Sequence, residues 1–317
     1  MSVFTTLTLA EVVDWLQNFA VGEPIELKGI SAGITNTNYF VSTTQNKFVL
    51  TIFEKNKFSE LDYFVDLMAH LAKHDIPCPQ PIADKNGQAL HELKQKPALM
   101  VSCLAGKDIA IPTENNIKSV AETLANMHLA GQSFKAQSVN YRDEHWRQTT
   151  AQKVMPHLDT AAQTMLQSEL AYQTNLNTND LPRGVVHGDL FRDNVLFDGE
   201  QLGGFIDFYY ACDDILVYDV AIAVNEWCLH HNGPDIGSLD TEKVAVFLAA
   251  YQTKRPFLAA EKTLWLAMQR RAALRFWLSR LHDFYFPADG ELTHTKDPNH
   301  FKKILEYYVN AAQKPGN

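Results

Sequence analysis

The stretch VVHGDLFRDNVLFDGEQLGGFIDFYYA, residues 185–211, sets two carboxylates and one amide on a background of Val, Leu, Phe and Ile. Asp189 and Asn194 stand in a D-x-x-x-x-N spacing, and Asp207 closes the apolar run GGFID. Phosphoryl transfer needs such a set. One carboxylate orients the acceptor hydroxyl, while an amide oxygen and a second carboxylate hold Mg²⁺ against nucleotide phosphates. Mg²⁺ is a hard cation and takes oxygen ligands, which suits Asn and Asp.

The flanking residues say how these groups are placed. Val185 and Val186 read as a strand running into His187-Gly188-Asp189, NVLF as a second strand, Asp198-Gly199 as its turn and LGGFIDF as a third. The short loop after Asp189 brings Asn194 back beside it, and the hairpin is expected to return Asp207 to the same end.

Ahead of this block, TLAEVVDWLQNFA reads as a helix with Thr8 and Glu11 as a capping box. IELKGI, NYFVST and KFVLTIFE read as strands, and Ser59–Lys73 as a helix stopped by the prolines of IPCPQPI. A hairpin is expected around Asn86-Gly87, and PALMVSCLAG as a further strand. Beyond Gly106 the period turns helical: residues 117–131, residues 150–175 and four segments after residue 217. The fold class is α+β. A β-rich N-terminal lobe (1–102) would bind nucleotide, and a mainly helical C-terminal lobe (103–317) would carry catalysis and substrate binding.

The 317 residues are 46% hydrophobic and 21% charged, an ordinary soluble composition. No apolar run approaches the about 20 residues of a membrane span. With 28 Lys and Arg against 37 Asp and Glu, the formal charge is −9. That opposes nucleic-acid binding and leaves anionic ligands to local devices. The four cysteines form no CxxC pair, and MSVFTTLTLAEVVDWL has no basic segment before an apolar one. The expectation is a cytoplasmic protein with reduced thiols, no membrane partner and no nucleic-acid partner.

The combination H-G-D-x-x-x-x-N with a following I-D-F strand end resembles the aminoglycoside-phosphotransferase-like, protein-kinase-like superfamily. The resemblance implies a two-lobed protein-kinase-like fold that uses ATP and Mg²⁺. It makes Asp189 the catalytic aspartate, Asn194 and Asp207 the magnesium ligands, and Asp219 of VYDVA a buttress for the catalytic loop. His187 reads as a packed loop residue. The segment SAGITNTNYFV stands where the superfamily places its nucleotide loop, with Gly33, Asn36 and Asn38 able to shape a turn whose amides face phosphate. Val101 to Cys103 corresponds to the hinge that binds adenine through its backbone. One departure stands out: Thr51 occupies the strand position where the superfamily has a lysine. Lys55 and Arg192 are the candidate replacements.

Taken over nearly the whole chain, the motifs closely resemble bacterial homoserine kinases of this fold. The reaction implied is transfer of the ATP γ-phosphoryl group to the hydroxyl of L-homoserine. A carboxylate-bearing acceptor favours an arginine fork. QRRAALRFWLSRLHD offers Arg270, Arg271, Arg275 and Arg280, of which Arg271, Arg275 and Arg280 are the candidate substrate contacts. Tyr209, Trp227 and His230 are candidate pocket walls. The residues alone leave other acceptors open, among them choline, an aminoglycoside and methylthioribose. Asp213 and Asp214 would suit a cationic one. A non-catalytic nucleotide binder on a kinase scaffold also stays open, invited by Thr51.

Overall fold

The computed structural model describes residues 4–30, 36–287 and 296–312. The chain forms two compact units, each taking up discontinuous segments. One comprises Met1–Lys107, Leu196–Gly199 and Gly203–Tyr209, and the other Asp108–Val195, Glu200–Leu202 and Tyr210–Asn317.

The first unit contains helix α1 (Leu9–Leu16), strands β1 (Pro24–Ile30), β2 (Thr37–Thr43) and β3 (Lys47–Ile52), helix α2 (Asp62–Lys73), and strands β4 (Leu90–Leu93) and β5 (Lys96–Ser102). The strands form one antiparallel sheet in the order β1-β2-β3-β5-β4. Period-two alternation in β2 sends Tyr39 and Val41 inward, where they meet Leu50, Ile52 and Met100 of the sheet and Val12, Leu16 and Phe19 at one end of the chain. Thr8 and Glu11 cap α1 reciprocally, as their spacing predicts.

The turn at Asn86-Gly87 is not a hairpin. Pro79 and Pro81 cannot donate to a ladder, and only Pro81 bridges to Val101. Asp84 instead gathers the chain locally, its carboxylate accepting from the Asn86 and Gln88 amides at 2.8 and 2.9 Å. The hairpin lies one step later, between β4 and β5. Lys94 and Gln95 carry it with φ of 55° and 62°, the left-handed pair of a two-residue turn, without a glycine or asparagine to announce it.

The second unit begins with α3 (Glu114–Gly131), α4 (Glu144–Val154) and α5 (Thr160–Thr174). The single helix expected over 150–175 is two. Pro156 sits in a 3₁₀ turn at Met155–His157, and Asp159 accepts from the Ala162 amide at 2.8 Å to start α5 afresh. Strand β6 (Arg183–Val186) follows. Strands β7 (Val195–Asp198) and β8 (Gln201–Phe205) pair through a turn at Gly199, and β9 (Cys212–Ile215) returns antiparallel to β6. The chain ends in α6 (Leu216–Trp227), α7 (Thr241–Lys254), α8 (Ala259–Tyr285) and α9 (Asn299–Ala312). Every residue of α6 is buried, which makes it the axis of this unit, packed against α3, α7 and α8.

Residues that leave the second unit for the first are held there by backbone. Lys107 and Phe197 exchange hydrogen bonds of 3.0 and 2.8 Å, and the Phe205 amide donates to the Pro77 carbonyl at 2.8 Å. Gly203 admits no side chain, since a Cβ would lie 2.1 Å from the Ala105 oxygen. Among the described residues no helix is long and apolar enough to cross a membrane.

Candidate active site

The catalytic-loop motif begins where β6 ends. His187 and Gly188 present their amides to the carboxylate of Asp219, at 2.8 Å to Oδ2 and 2.9 Å to Oδ1. His128 of α3 reaches the same carboxylate at 3.1 Å, and its other ring nitrogen lies 2.7 Å from the Tyr251 hydroxyl. Asp219, His128 and His187 have no solvent exposure. Burial pushes the Asp219 carboxyl up, but the hydrogen bond and charge of His128, with His187 and the Gly188 amide, hold it below the ordinary value. A buried carboxylate that accepts two adjacent backbone amides fixes the backbone just before Asp189. Gly188 completes the turn with φ 74°, and a Cβ there would meet the Tyr210 carbonyl at 2.7 Å.

Beyond the turn, Asp189 is half-buried. Asn194 closes the loop by donating from Nδ2 to the Asp189 carbonyl at 2.8 Å and to its Oδ2 at 3.2 Å. That use of the amide nitrogen aims the amide oxygen, the end a hard cation takes, away from the loop. Leu190 and Phe191 are buried; Trp227 donates to the Leu190 carbonyl at 3.0 Å, and the Phe191 ring packs at a tilt against Phe276, centroids 4.5 Å apart. Trp227 is thus a prop of the loop rather than a pocket wall. Arg192 is spent in this unit, paired with Glu226 at 2.8 Å and with the Ala110 carbonyl.

Asp207 belongs to the first unit, just past β8. It is exposed and sits at φ 62°, a conformation that costs a non-glycine residue about 1 kcal/mol and that aspartate tolerates better than most. Tyr209, also of this unit, packs edge-on against Phe53 and Phe64. Burial first, then the charge of Asp207, push its phenol above the ordinary range, against a hydrogen bond to Thr51 that lowers it. Thr51 in turn donates to Asn38 Oδ1 at 2.7 Å across β3 and β2. The place of the superfamily lysine is therefore taken by a neutral hydrogen-bonded chain of Tyr209, Thr51 and Asn38. Lys55 is exposed at the strand end.

Of the nucleotide-loop candidates, Gly33 lies outside the described residues. Asn36 accepts from the Glu54 amide at 3.3 Å, so Asn36 and Asn38 both brace the strand bases. At the hinge candidate, the Val101 neighbour Ser102 donates to Gln80, and Cys103 donates to the Lys47 carbonyl at 3.3 Å.

The arginines of α8 part company. Arg270 forms a bidentate pair with buried Glu169 and lies over the Tyr172 ring. Arg271 donates to Gln173 at 3.0 Å. Arg280 donates to the Asp297 carbonyl and covers Phe301. Of these four arginines, Arg275 is the one that pairs with the catalytic loop, with Nη1 3.6 Å from Asp189 Oδ1. Of the three substrate candidates, then, the fold brings Arg275 to Asp189 and gives Arg271 and Arg280 side-chain or backbone partners elsewhere. His230 pairs with Asp240. Asp213 and Asp214 are tied to the Ser138 amide, Asn140 and Arg183, which leaves them poorly placed to receive a cationic acceptor.

Sequence reasoning passed over two residues near Arg275. Tyr218 precedes the buttress aspartate, and Arg147 lies on α4; both are buried. The YDVA motif was the signal for Tyr218, whereas nothing in the α4 pattern marks Arg147.

A two-unit α+β chain with this braced loop has the architecture of a protein-kinase-like phosphotransferase. The chain belongs to the phosphotransferase enzyme family, whose sequence profile matches residues 26–259. It is 50% identical to a homoserine kinase of Methylobacillus flagellatus over 99% of this chain and 97% of that one. It is 46% identical to the homoserine kinase of Methylobacillus glycogenes over 99% and 98%. Among solved structures, a spectinomycin phosphotransferase in complex with ADP and spectinomycin shares the fold with a TM-score of 0.71 at 11% identity, covering 98% of this chain and 100% of that one. Choline kinase from Cryptosporidium parvum does so at 0.67 and 14%, covering 96% of each.

Proposed function

We propose that this phosphotransferase moves the γ-phosphoryl group of ATP to the side-chain hydroxyl of L-homoserine, giving ADP and O-phospho-L-homoserine. The observation that carries the reading is half identity, over essentially the full length, to a homoserine kinase. The arginine beside Asp189 supports it, because a carboxylate-bearing acceptor needs a cation close to the reacting hydroxyl.

In this reading Asp189 accepts a hydrogen bond from the acceptor hydroxyl and takes its proton as the phosphorus–oxygen bond forms. Asn194 fixes the Asp189 carboxylate from one side and Arg275 from the other, so the nucleophile is met by a pre-set group. Asn194 and Asp207 are the residues to hold Mg²⁺; an amide oxygen and an exposed carboxylate suit it. The ion, when bound, supplies charge that stabilises the transferring phosphoryl group. ATP is assigned to the 31–41 segment, including Gly33, Asn36 and Asn38, and to the backbone of Val101 to Cys103.

The test is ADP release with ATP, Mg²⁺ and one acceptor at a time: L-homoserine, L-serine, choline and an aminoglycoside. Homoserine is expected to exceed each of the others by at least about 100-fold in kcat/KM, the scale of discrimination that a charged, hydrogen-bonded group provides. Equal turnover of choline would defeat the assignment.

A further inference from the structure

Among the described residues of the second unit, three buried polar side-chain atoms have no hydrogen-bond partner, His231 Nε2, the Tyr218 hydroxyl and Arg275 Nη1, and the last two share one neighbourhood. Tyr218 is 3% exposed and Arg275 4%. Orphaned buried donors are uncommon, and each carries a desolvation cost that something must offset. The Arg275 guanidinium is locked in place, 3.9 Å above the Phe276 ring and 5.5 Å from that of Tyr210.

Cations outnumber anions around them. The charges of Arg275, Arg147 and Arg271 bear on the Tyr218 hydroxyl, against the carboxylate of Asp214, which is itself paired with Arg183. Arg271 is destabilised as a cation first by burial and next by the charge of Arg147. Like charges brought together in a poorly solvated place are relieved by an anion. Burial, the largest influence, pushes the Tyr218 phenol up to about 12, so at neutral pH it remains an O–H donor.

The acceptor carries a carboxylate a short carbon chain away from its hydroxyl. Arg275 lies beside Asp189, the group that meets that hydroxyl. Building on the homoserine reading, we propose that Tyr218 and Arg275 are the two donors that bind the acceptor's carboxylate, with Arg147 and Arg271 supplying the positive surround. One guanidinium then touches both the catalytic carboxylate and the substrate anion, which sets the hydroxyl against Asp189. Specificity on this account lies in the carboxylate: an amino alcohol lacking it gains nothing from Tyr218.

Tyr218→Phe removes one oxygen and preserves the ring. The homoserine KM is expected to rise roughly 10- to 100-fold with kcat and the ATP KM little changed, the factor of a hydrogen bond to a charged group lost from uniform binding. The preference for L-homoserine over 3-aminopropan-1-ol should fall by the same factor. Arg275→Lys, which keeps the charge and loses the fork, should raise the homoserine KM and also lower kcat. A second readout does not need turnover. L-Homoserine should raise the melting temperature of the wild-type chain more than 3-aminopropan-1-ol does, and Tyr218→Phe should abolish the difference. An unchanged homoserine KM in a folded Tyr218→Phe protein overturns the proposal. A chain that shows the homoserine-specific melting shift but no ADP release keeps the carboxylate subsite and loses the kinase reading; one that releases ADP with no sensitivity at Tyr218 does the reverse.

Discussion

Arg270 and Arg275 lie on the same face-to-core helix, both buried, and answer to different masters. Arg270 spends its fork on Glu169 and its flat side on Tyr172. Arg275 has a carboxylate at 3.6 Å and still leaves Nη1 without a hydrogen bond. A fully partnered buried ion pair stabilises a fold or merely breaks even; a half-partnered one calls for an explanation, which the proposed substrate carboxylate supplies. Identity and burial of an arginine therefore say little about its role, whereas the state of its donors says a great deal.

Removing the partner carboxylate of each arginine gives the sharpest contrast. Asp189→Asn is expected to lower kcat by about 10²–10⁴-fold, the range for loss of a positioned proton acceptor, with the melting temperature little altered. Steady-state ADP release and a thermal melt check it together, and near-normal turnover would make Asp189 a structural partner like Glu169. Glu169→Gln should behave in the opposite sense. It leaves Arg270 a buried charge without its counter-ion, at a cost of about 3–5 kcal/mol in urea unfolding, while the folded fraction keeps its homoserine KM. A stable Glu169→Gln protein with a raised KM would erase the distinction between the two arginines.

The smallest effect concerns two histidines near the other arginines of this unit. His231 lies 3.4 Å from Arg192, and His300 is influenced by Arg280 and Arg192. Burial, seconded by these cations, lowers both imidazoles from 6.5 to about 4. The unfolded chain then takes up protons that the folded one refuses. Stability should be full above about pH 6.5, decline as pH falls from there toward about 4, and lose nothing further from these groups below that. Urea titrations at pH 7.5, 6 and 5 should show the decline, and His231→Gln with His300→Gln should flatten it. An unchanged slope in the double variant would show that His231 and His300 do not set the pH response.

Much of the site was legible because its signals are local. The loop spacing from Asp189 to Asn194 and the aspartate of VYDVA translate directly into a closed turn and its brace. The β4–β5 turn was not legible, because Lys94 and Gln95 adopt left-handed angles that their side chains do not announce. The break at Pro156 was available but outweighed by helical periodicity on both sides. Tyr218 and Arg147 were hidden for a different reason. Their importance rests on which distant helices face them, and no short-range pattern encodes that. The strand position of Thr51 was correctly seen to lack a lysine, but the hydrogen-bonded chain through Asn38 and Tyr209 that fills the place joins residues far apart in sequence.

The interleaving of the two units has a bearing on synthesis. The sheet of β1 to β5 emerges early from a ribosome, yet the Phe197 and Phe205 segments that bond to Lys107 and Pro77 arrive only after α3, α4, α5 and β6 have been made. The amino-terminal unit must therefore wait, open along that seam, while part of its successor is already in the water. A nascent chain halted before Phe205 should leave the Pro77 carbonyl without its Phe205 donor and the Ala105 backbone uncovered by Gly203.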